Sequence, residues 1–276
     1  MTTSGTDDEA PLIPDQRREL LVRLLRSERV LSVHQLTEAL GVSHMTVRRD
    51  ISALEGEGRV LAIPGGARLP TRVGAEPSRA DKSVMEAPQK AAIAREAARL
   101  VRDDMVVYLD AGTTTLGIAG RIEGVNGLTV VTNDFAIVEE FGLLGEVETV
   151  HIGGQVEYAN RSTIGLLAAN TLRGLNIDIA FISASSWSAH HGVTTPVPGK
   201  VEVKTAAMDS ASVAVLVADS SKYGSFSMYR AAELRSFSSV ITDSTLSDGA
   251  VESVRSLGIE LVLADDENEP AQTDRT

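Results

Sequence analysis

"SVHQLTEALGVSHMTVRRDISALEGEG", Ser32 to Gly58, holds two short amphipathic runs broken by a glycine. Ser32 followed three positions later by Gln35 is the start signal of a capping box. Leu36, Ala39 and Leu40 recur at helical spacing as far as Gly41, a residue suited to the left-handed conformation that ends a helix. Ser43 opens the next run, in which Val47, Ile51 and Leu54 form the apolar stripe and Gly56 and Gly58 mark the end. With that stripe turned inward, Met45 and Arg49 point away from the core and Thr46 and Arg48 lie on the flanks. A polar, cationic N-terminal half on the free face of a helix, set behind a short Gly-Val-Ser turn, is the layout of a DNA recognition helix. Periodicity alone leaves a second reading open, a small helical bundle whose arginine pair is simply solvated.

The flanks extend this unit. Leu20, Leu21, Leu24 and Leu25, with arginines between them, predict a helix over Asp15 to Ser27. After Gly58, "RVLAIPGGARL" reads as two short strands around Pro64-Gly65-Gly66, a hairpin wing. Residues 12–70 carry nine Arg and no Lys against seven Asp and Glu, a net of +2. The whole chain of 276 residues has a net charge of −12, so the remainder carries −14. The acidic total therefore does not argue against nucleic acid, because it belongs to the other part of the chain. There are no cysteines, which excludes disulfides, thiolate metal sites and a cysteine nucleophile. No apolar run reaches the roughly 18 residues of a membrane span, and "MTTSGTDDEAPLIP" lacks the pattern of a secretion signal, so a cytoplasmic protein is expected.

From Thr71 to Pro88 no period persists and prolines interrupt, which predicts a linker. Beyond it, a helix over about 89–102 is followed by the apolar runs "MVVYLD", "LTVVT", "VETVHIGG", "IDIAFIS", "SVAVLVADSS", "SVITD" and "IELVLA", with helices interleaved. Such runs predict a mostly parallel sheet covered on both faces. In "YLDAGTTTLGIAG" a strand runs through Gly112 and three threonines into a helix, a turn whose amides and hydroxyls suit an anion. Polar strand ends recur at Thr132-Asn133, Gly153-Gly154 and Asp219 to Lys222. Ligands of open α/β sheets collect beyond the carboxyl ends of the strands, so one pocket is expected there, with Lys204 or Lys222 beside a phosphorylated, hydroxyl-rich molecule. The acidic tail, 266–276, is expected to be disordered.

"GVS.MTVRRD...LE..G" with the following "GGA" resembles the winged helix-turn-helix of the DeoR family of bacterial transcription regulators. Two wing positions depart from the family pattern: Ala62 stands where Arg is usual and Pro64 where His is usual. "LDAGTTTL.IA", "TVVTND", "GG", "S.IG..A", "D.AFIS", "HGVTTP...KVEVK" and "ADSSK.G" resemble that family's sensor domain, which is related to sugar-phosphate isomerases. The resemblance implies a winged helix-turn-helix over 12–70, a linker over 71–88 and a Rossmann-like α/β sensor over 89–265. It implies DNA contact through Ser43, His44, Thr46, Arg48 and Arg49. It also implies effector contact through Asp110, Gly112, Thr113, Thr114, Thr115, Asn133, Gly154, Gly165, Asp178, Lys204, Asp219 and Lys222.

Where most members are glycine-rich, this chain reads "SASSWSAHH", which places Trp187 either at the pocket edge or in a core gap. His190 and His191 read as solvated loop histidines before metal ligands, Asp178 has a turn-capping alternative, and no cofactor, metal site or catalytic residue is assigned. The implied function is a repressor of a carbohydrate-catabolism operon, a homo-oligomer that binds an operator in double-stranded DNA under control of a phosphorylated sugar. A sugar-phosphate isomerase fused to a DNA-binding unit is the alternative, since Asp and Lys side chains for proton transfer are available. Fold kinship alone does not transfer that activity.

Overall fold

The computed structural model describes residues 12–122, 124–144 and 147–265, and the chain divides between Pro70 and Thr71 into two units. The first contains α1 (Pro14–Glu28), β1 (Val30–Ser32), α2 (Val33–Leu40), α3 (His44–Gly56), β2 (Leu61–Ile63) and β3 (Gly66–Arg68). Ser32 caps α2 with a complete capping box, Gly41 ends it at φ 64°, and the Ser43 hydroxyl accepts the Thr46 amide at 3.2 Å to start α3. Leu21, Leu25, Leu36, Val47, Ile51 and Leu54 close one core beneath the three helices. The wing is more than a hairpin: β3 pairs with β2 on one side and with β1 on the other. Ser32 therefore serves both as the last residue of a strand and as a helix cap.

The second unit contains β4 (Thr71–Arg72), α4 (Arg79–Val84), α5 (Ala87–Ala98), β5 (Val106–Leu109), α6 (Thr113–Ala119), β6 (Thr129–Thr132), α7 (Phe135–Leu144) and β7 (Glu148–His151). There follow β8 (Gln155–Glu157), β9 (Ser162–Ile164), α8 (Leu166–Arg173), β10 (Ile177–Ser183), β11 (Ser186–Ser188), β12 (Gly192–Thr195), α9 (Pro198–Asp209) and β13 (Ala211–Val217). The chain ends with β14 (Ser225–Phe226), β15 (Tyr229–Ala232), β16 (Ser239–Asp243), α10 (Asp248–Arg255) and β17 (Glu260–Ala264). Seven of these strands form one wholly parallel sheet in the order β17-β16-β13-β10-β5-β6-β7. From β5 the chain winds outward through β6 and β7, then returns to the other side of β5 at β10. The topological switch point thus lies between β5 and β10.

The segment Thr71–Pro88 is not a linker. It carries β4, which pairs with β14, and α4, capped by Ser78. It belongs to the second unit. A two-residue strand and a six-residue helix are too short to show a period, and their partners lie far along the chain. The tail 266–276 lies outside the described residues. Among the described residues no helix is long and apolar enough to cross a membrane.

Candidate functional site

In the first unit α3 leaves Ser43, His44, Met45, Arg48 and Arg49 exposed and Thr46 half-buried, while Val47 and Ile51 are in the core. All five residues assigned to DNA thus cluster on the N-terminal half of one helix. Arg17 and Arg18 of α1 point elsewhere. Asp50, buried on the inner face of α3, accepts Arg17 at 2.5 and 3.1 Å, and Arg18 Nε lies 3.5 Å away. These two arginines fasten α1 to α3, which leaves Arg48 and Arg49 as the exposed cations of α3.

In the second unit four neighbouring strands end on one cavity of about 310 Å³. Asp219 follows β13, Ser183 ends β10, Asp110 follows β5 and Asn133 follows β6, so their side chains form a row along the carboxyl edge of the sheet. At the switch point Asp110 accepts the Ser183 amide at 3.0 Å, the Ser183 hydroxyl at 2.8 Å and the ammonium of buried Lys204. Lys204 also donates to the Ser183 carbonyl at 2.8 Å. The Asn133 side chain accepts the Ala111 amide at 2.8 Å, and Asp134 accepts that of Gly112 at 3.1 Å. Those two amides are therefore committed to shaping the loop. The open donors at this end of α6 are the amides of its first turn, which have no intrahelical acceptor. Gly112 sits in a tight place: a Cβ there would lie 3.1 Å from the Ser183 Cβ, so that side chain would have to shift.

Of the residues assigned to an effector, Asp110, Gly112, Thr113, Thr114, Asn133, Lys204, Asp219 and Lys222 line the cavity. Four do not. Thr115 is wholly buried and its hydroxyl donates back to the Gly112 carbonyl three residues before it, so it is spent inside α6. Gly154, at φ 115°, lets the backbone pass where a Cβ would meet Ala168 at 2.9 Å. Gly165 precedes α8 and is a turn residue at φ 85°. Asp178 stands at the opposite end of the sheet, where it accepts the Val106 amide at the start of β5. Asp178 thus has a structural partner in the neighbouring strand and no place at the cavity.

Trp187 fills the core and does not line the cavity. It is wholly buried, meets Tyr223 edge-on at 4.9 Å, and its indole N–H donates to the Asp219 carbonyl at 3.1 Å. Its link to the cavity is this bond to the backbone of Asp219. His191 stacks on Phe226 at 4.7 Å, and burial lowers its pKa, as suits a ring in a packing role.

The cavity also takes side chains from the segment that reads as a linker in sequence: Glu76, Arg79 and Lys82, joined by Lys90 of α5 and Lys200 of α9. Arg79 pairs with Asp134 at 2.6 Å while its Nη2 is buried without a partner among the described residues. Lys90 is held by the carbonyls of Lys82 and Met85. Burial, and the Lys222 charge nearby, lower its pKa. Lys222 lies 2.9 Å from Asp219, whose carboxyl burial pushes up and the Lys222 ammonium brings down below its ordinary value. Six cationic side chains and four carboxylates, Glu76, Glu86, Asp110 and Asp219, line the cavity, and Asp134 outside the lining pairs with Arg79. Among the described residues, two of those cations have no carboxylate partner or retain an unpaired N–H. One signal for Lys90 is present in the sequence: it shares a helical face with Ile93, Ala94 and Ala97, where a lysine must have a buried partner.

An arginine-bearing recognition helix and a ligand cavity at the switch point of a parallel sheet define a class, the ligand-sensing DNA-binding transcription regulators. Residues 17–73 match the DeoR-like helix-turn-helix domain and residues 85–244 match the DeoR C terminal sensor domain. The chain belongs to the DeoR family of transcription regulators. It is 40% identical, over 92% of its length and 99% of the relative's, to an uncharacterized HTH-type transcriptional regulator of Haemophilus influenzae. It is 42% identical to the uncharacterized HTH-type transcriptional regulator YgbI of Escherichia coli K12, over 93% of this chain and 100% of that one. The transcriptional repressor AccR of Agrobacterium fabrum is 34% identical over 83% of this chain and 89% of its own.

Proposed function

We propose that this regulator is a cytoplasmic repressor of carbohydrate-catabolism genes whose cavity takes a phosphorylated sugar. The observation that carries the reading is the cavity's excess of cations beside the open end of α6. A phosphate brings close to two negative charges and several acceptor oxygens, and it suits ammonium and guanidinium donors together with helix amides. Asp110, Asn133 and Asp219 add acceptors for sugar hydroxyls, although Asn133 acts mainly by holding the loop. The volume sits at the small end of ligand sites, about 300–1,000 Å³, which favours one monosaccharide over a dinucleotide. On DNA, Ser43, His44, Thr46, Arg48 and Arg49 reach the major groove, where arginine pairs with guanine or phosphate. One winged helix has a small footprint, so a homo-oligomer on repeated half-sites is part of the proposal.

The test joins both halves of the molecule. Full-length protein is screened by thermal shift against sugars and their phosphates, and hits are repeated with a fluorescent fragment of the neighbouring promoter. A ligand at 100 times its Kd adds about 2.7 kcal/mol, a clear rise in Tm. The expected result is that one sugar phosphate raises Tm, is recovered unchanged and alters promoter affinity. Arg48→Ala and Arg49→Ala each weaken promoter binding by about tenfold or more and leave the ligand shift intact. Conversion of the sugar phosphate to an isomer would overturn the sensor reading, and promoter binding indifferent to both arginines would overturn the DNA face.

A further inference from the structure

Glu76 is the most heavily engaged carboxylate of the cavity. Its side chain is 8% exposed and receives Lys82 at 2.5 Å from α4 and Lys200 at 2.9 Å from the first turn of α9. The Ser185 hydroxyl donates to it from beyond β10, Thr195 approaches at 3.4 Å from β12, and Asn160 at 3.4 Å from the turn between β8 and β9. Burial pushes the carboxyl up, but Lys200 and Lys82 together carry it well below the ordinary glutamate range. One side chain thus ties residues 73–84, the stretch of chain that follows β4, to four other places in the sensor. It does so by occupying two lysines that face the cavity.

We infer that Glu76 is a resident competitor for the effector's anionic group: a phosphate entering the cavity takes Lys82 and Lys200 from the Glu76 carboxylate and loosens the tie that Glu76 makes between the 73–84 segment and the rest of the sensor. This inference rests on the reading of the cavity as an anion site. A dianion attracts a pair of ammonium groups more strongly than a monoanion in the same place. The segment's other ties are polar: Arg79 to Asp134 at 2.6 Å and to the Asn160 carbonyl at 3.2 Å, Lys82 to the Asn160 side chain at 2.7 Å, and the Val73 and Arg79 amides to the carbonyls of Phe226 and Ala159. α4 buries no residue, and its C-terminal carbonyls are held by Lys90 alone of the cavity's lysines. Two residues beyond it Glu86, which precedes α5, is held at φ 50° in the left-handed region that glycine favours. Only β4 (Thr71–Arg72) stands between the segment and Pro70, so a change in the segment reaches the DNA-binding unit through that strand and its pairing with β14. The coupling is reciprocal: whatever conformation of the segment DNA prefers must change the affinity for the anion.

Inorganic phosphate is the probe, titrated against chloride at equal ionic strength into the full-length chain. An R48A/R49A background keeps phosphate off the DNA-facing arginines. Calorimetry gives the Kd with Glu76 and with Glu76→Gln, and hydrogen exchange gives the protection of amides 73–84. The expected result is that E76Q binds phosphate about tenfold more tightly, since the competitor has lost its charge. Phosphate also speeds exchange across 73–84 in the Glu76 protein about tenfold, whereas E76Q exchanges fast there without it. Equal affinities with unchanged protection would overturn the competition and leave the anion site standing. Absence of phosphate binding to either protein would overturn the cavity reading, and the competition with it. If E76Q does not fold, the exchange of the Glu76 protein with and without phosphate decides the matter by itself.

Discussion

Asp110 shows what one residue at the switch point must satisfy. Its carboxylate is buried, accepts two bonds from Ser183, and has Lys204 as its cation. Removing one partner of a buried pair leaves the other charged and desolvated, which costs more than the pair itself contributes. Lys204→Met is therefore expected to destabilise the second unit by about 3 kcal/mol, and Asp110→Asn in the same chain to restore most of that loss. Urea denaturation of the two single variants and the double variant measures it; additive losses would mean that the two side chains do not act as a pair. Asp110 and Lys204 are both legible in the sequence, but only through motifs, because an Asp after a strand and a Lys on a helix are ordinary residues by themselves. Asp178 misleads for the same reason: its motif neighbours reach the carboxyl edge of the sheet, while position 178 starts the strand. Glu76 and Arg79 are not legible as site residues. Their partners, Lys200 and Asp134, lie far away in sequence, and no local pattern joins them.

Elements are legible in proportion to their length. The central strands β5, β10 and β13 are nearly continuous apolar runs that stand out in the sequence, while the edge strand β7 (Glu-Thr-Val-His) is weaker. β1, β4 and α4 span two to six residues and exist only because of what they pair with or cap. The wing illustrates this. Gly65 and Gly66 look equivalent as turn residues, yet they meet different constraints. Gly65 adopts φ 78° and a Cβ there would meet nothing within 4 Å, whereas a Cβ on Gly66 would lie 2.3 Å from the Leu31 carbonyl. The first position needs a left-handed conformation, which Asn tolerates; the second needs the absence of any side chain, because β1 passes against it. Gly65→Asn is expected to cost less than about 1 kcal/mol and to keep promoter affinity. Gly66→Ala is expected to cost about 2–3 kcal/mol by prying β1 from β3. Since Ser32 ends β1 and caps α2, promoter binding should fall with it, while the Tm shift with a cavity ligand stays. A Gly66→Ala protein with full promoter affinity would show that β1 does not set the position of α2 and α3.

At the scale of the whole molecule, sequence conveys the plan of two functional units and the location of the cavity. It does not convey that the cavity's charged wall begins directly after the DNA-binding unit. That wall makes the molecule's acid response specific. The Glu76 carboxyl, ordinarily near 4.5, is pushed up by burial but drawn well below that value by Lys200 and Lys82. The Asp219 carboxyl is likewise raised by burial and lowered further by Lys222, ending below its ordinary 3.8. A carboxyl whose folded pKa is depressed binds its proton first in the unfolded chain. Its stabilisation is present in full above the unfolded pKa and is lost as pH falls toward the folded one. Asp134 runs the other way, since burial raises it despite Arg79. Comparing two proteins that both retain Asp134 and Asp219 removes their contributions. Tm of the original chain should therefore fall more steeply than that of Glu76→Gln between about pH 5 and pH 3, the curves converging toward the acid end. At neutral pH the variant is the less stable of the two, and its deficit shrinks as acid protonates Glu76 in the original. Parallel curves across the whole range would mean that Glu76 is not paired with Lys82 and Lys200 in solution, and would remove the electrostatic basis for its hold on residues 73–84.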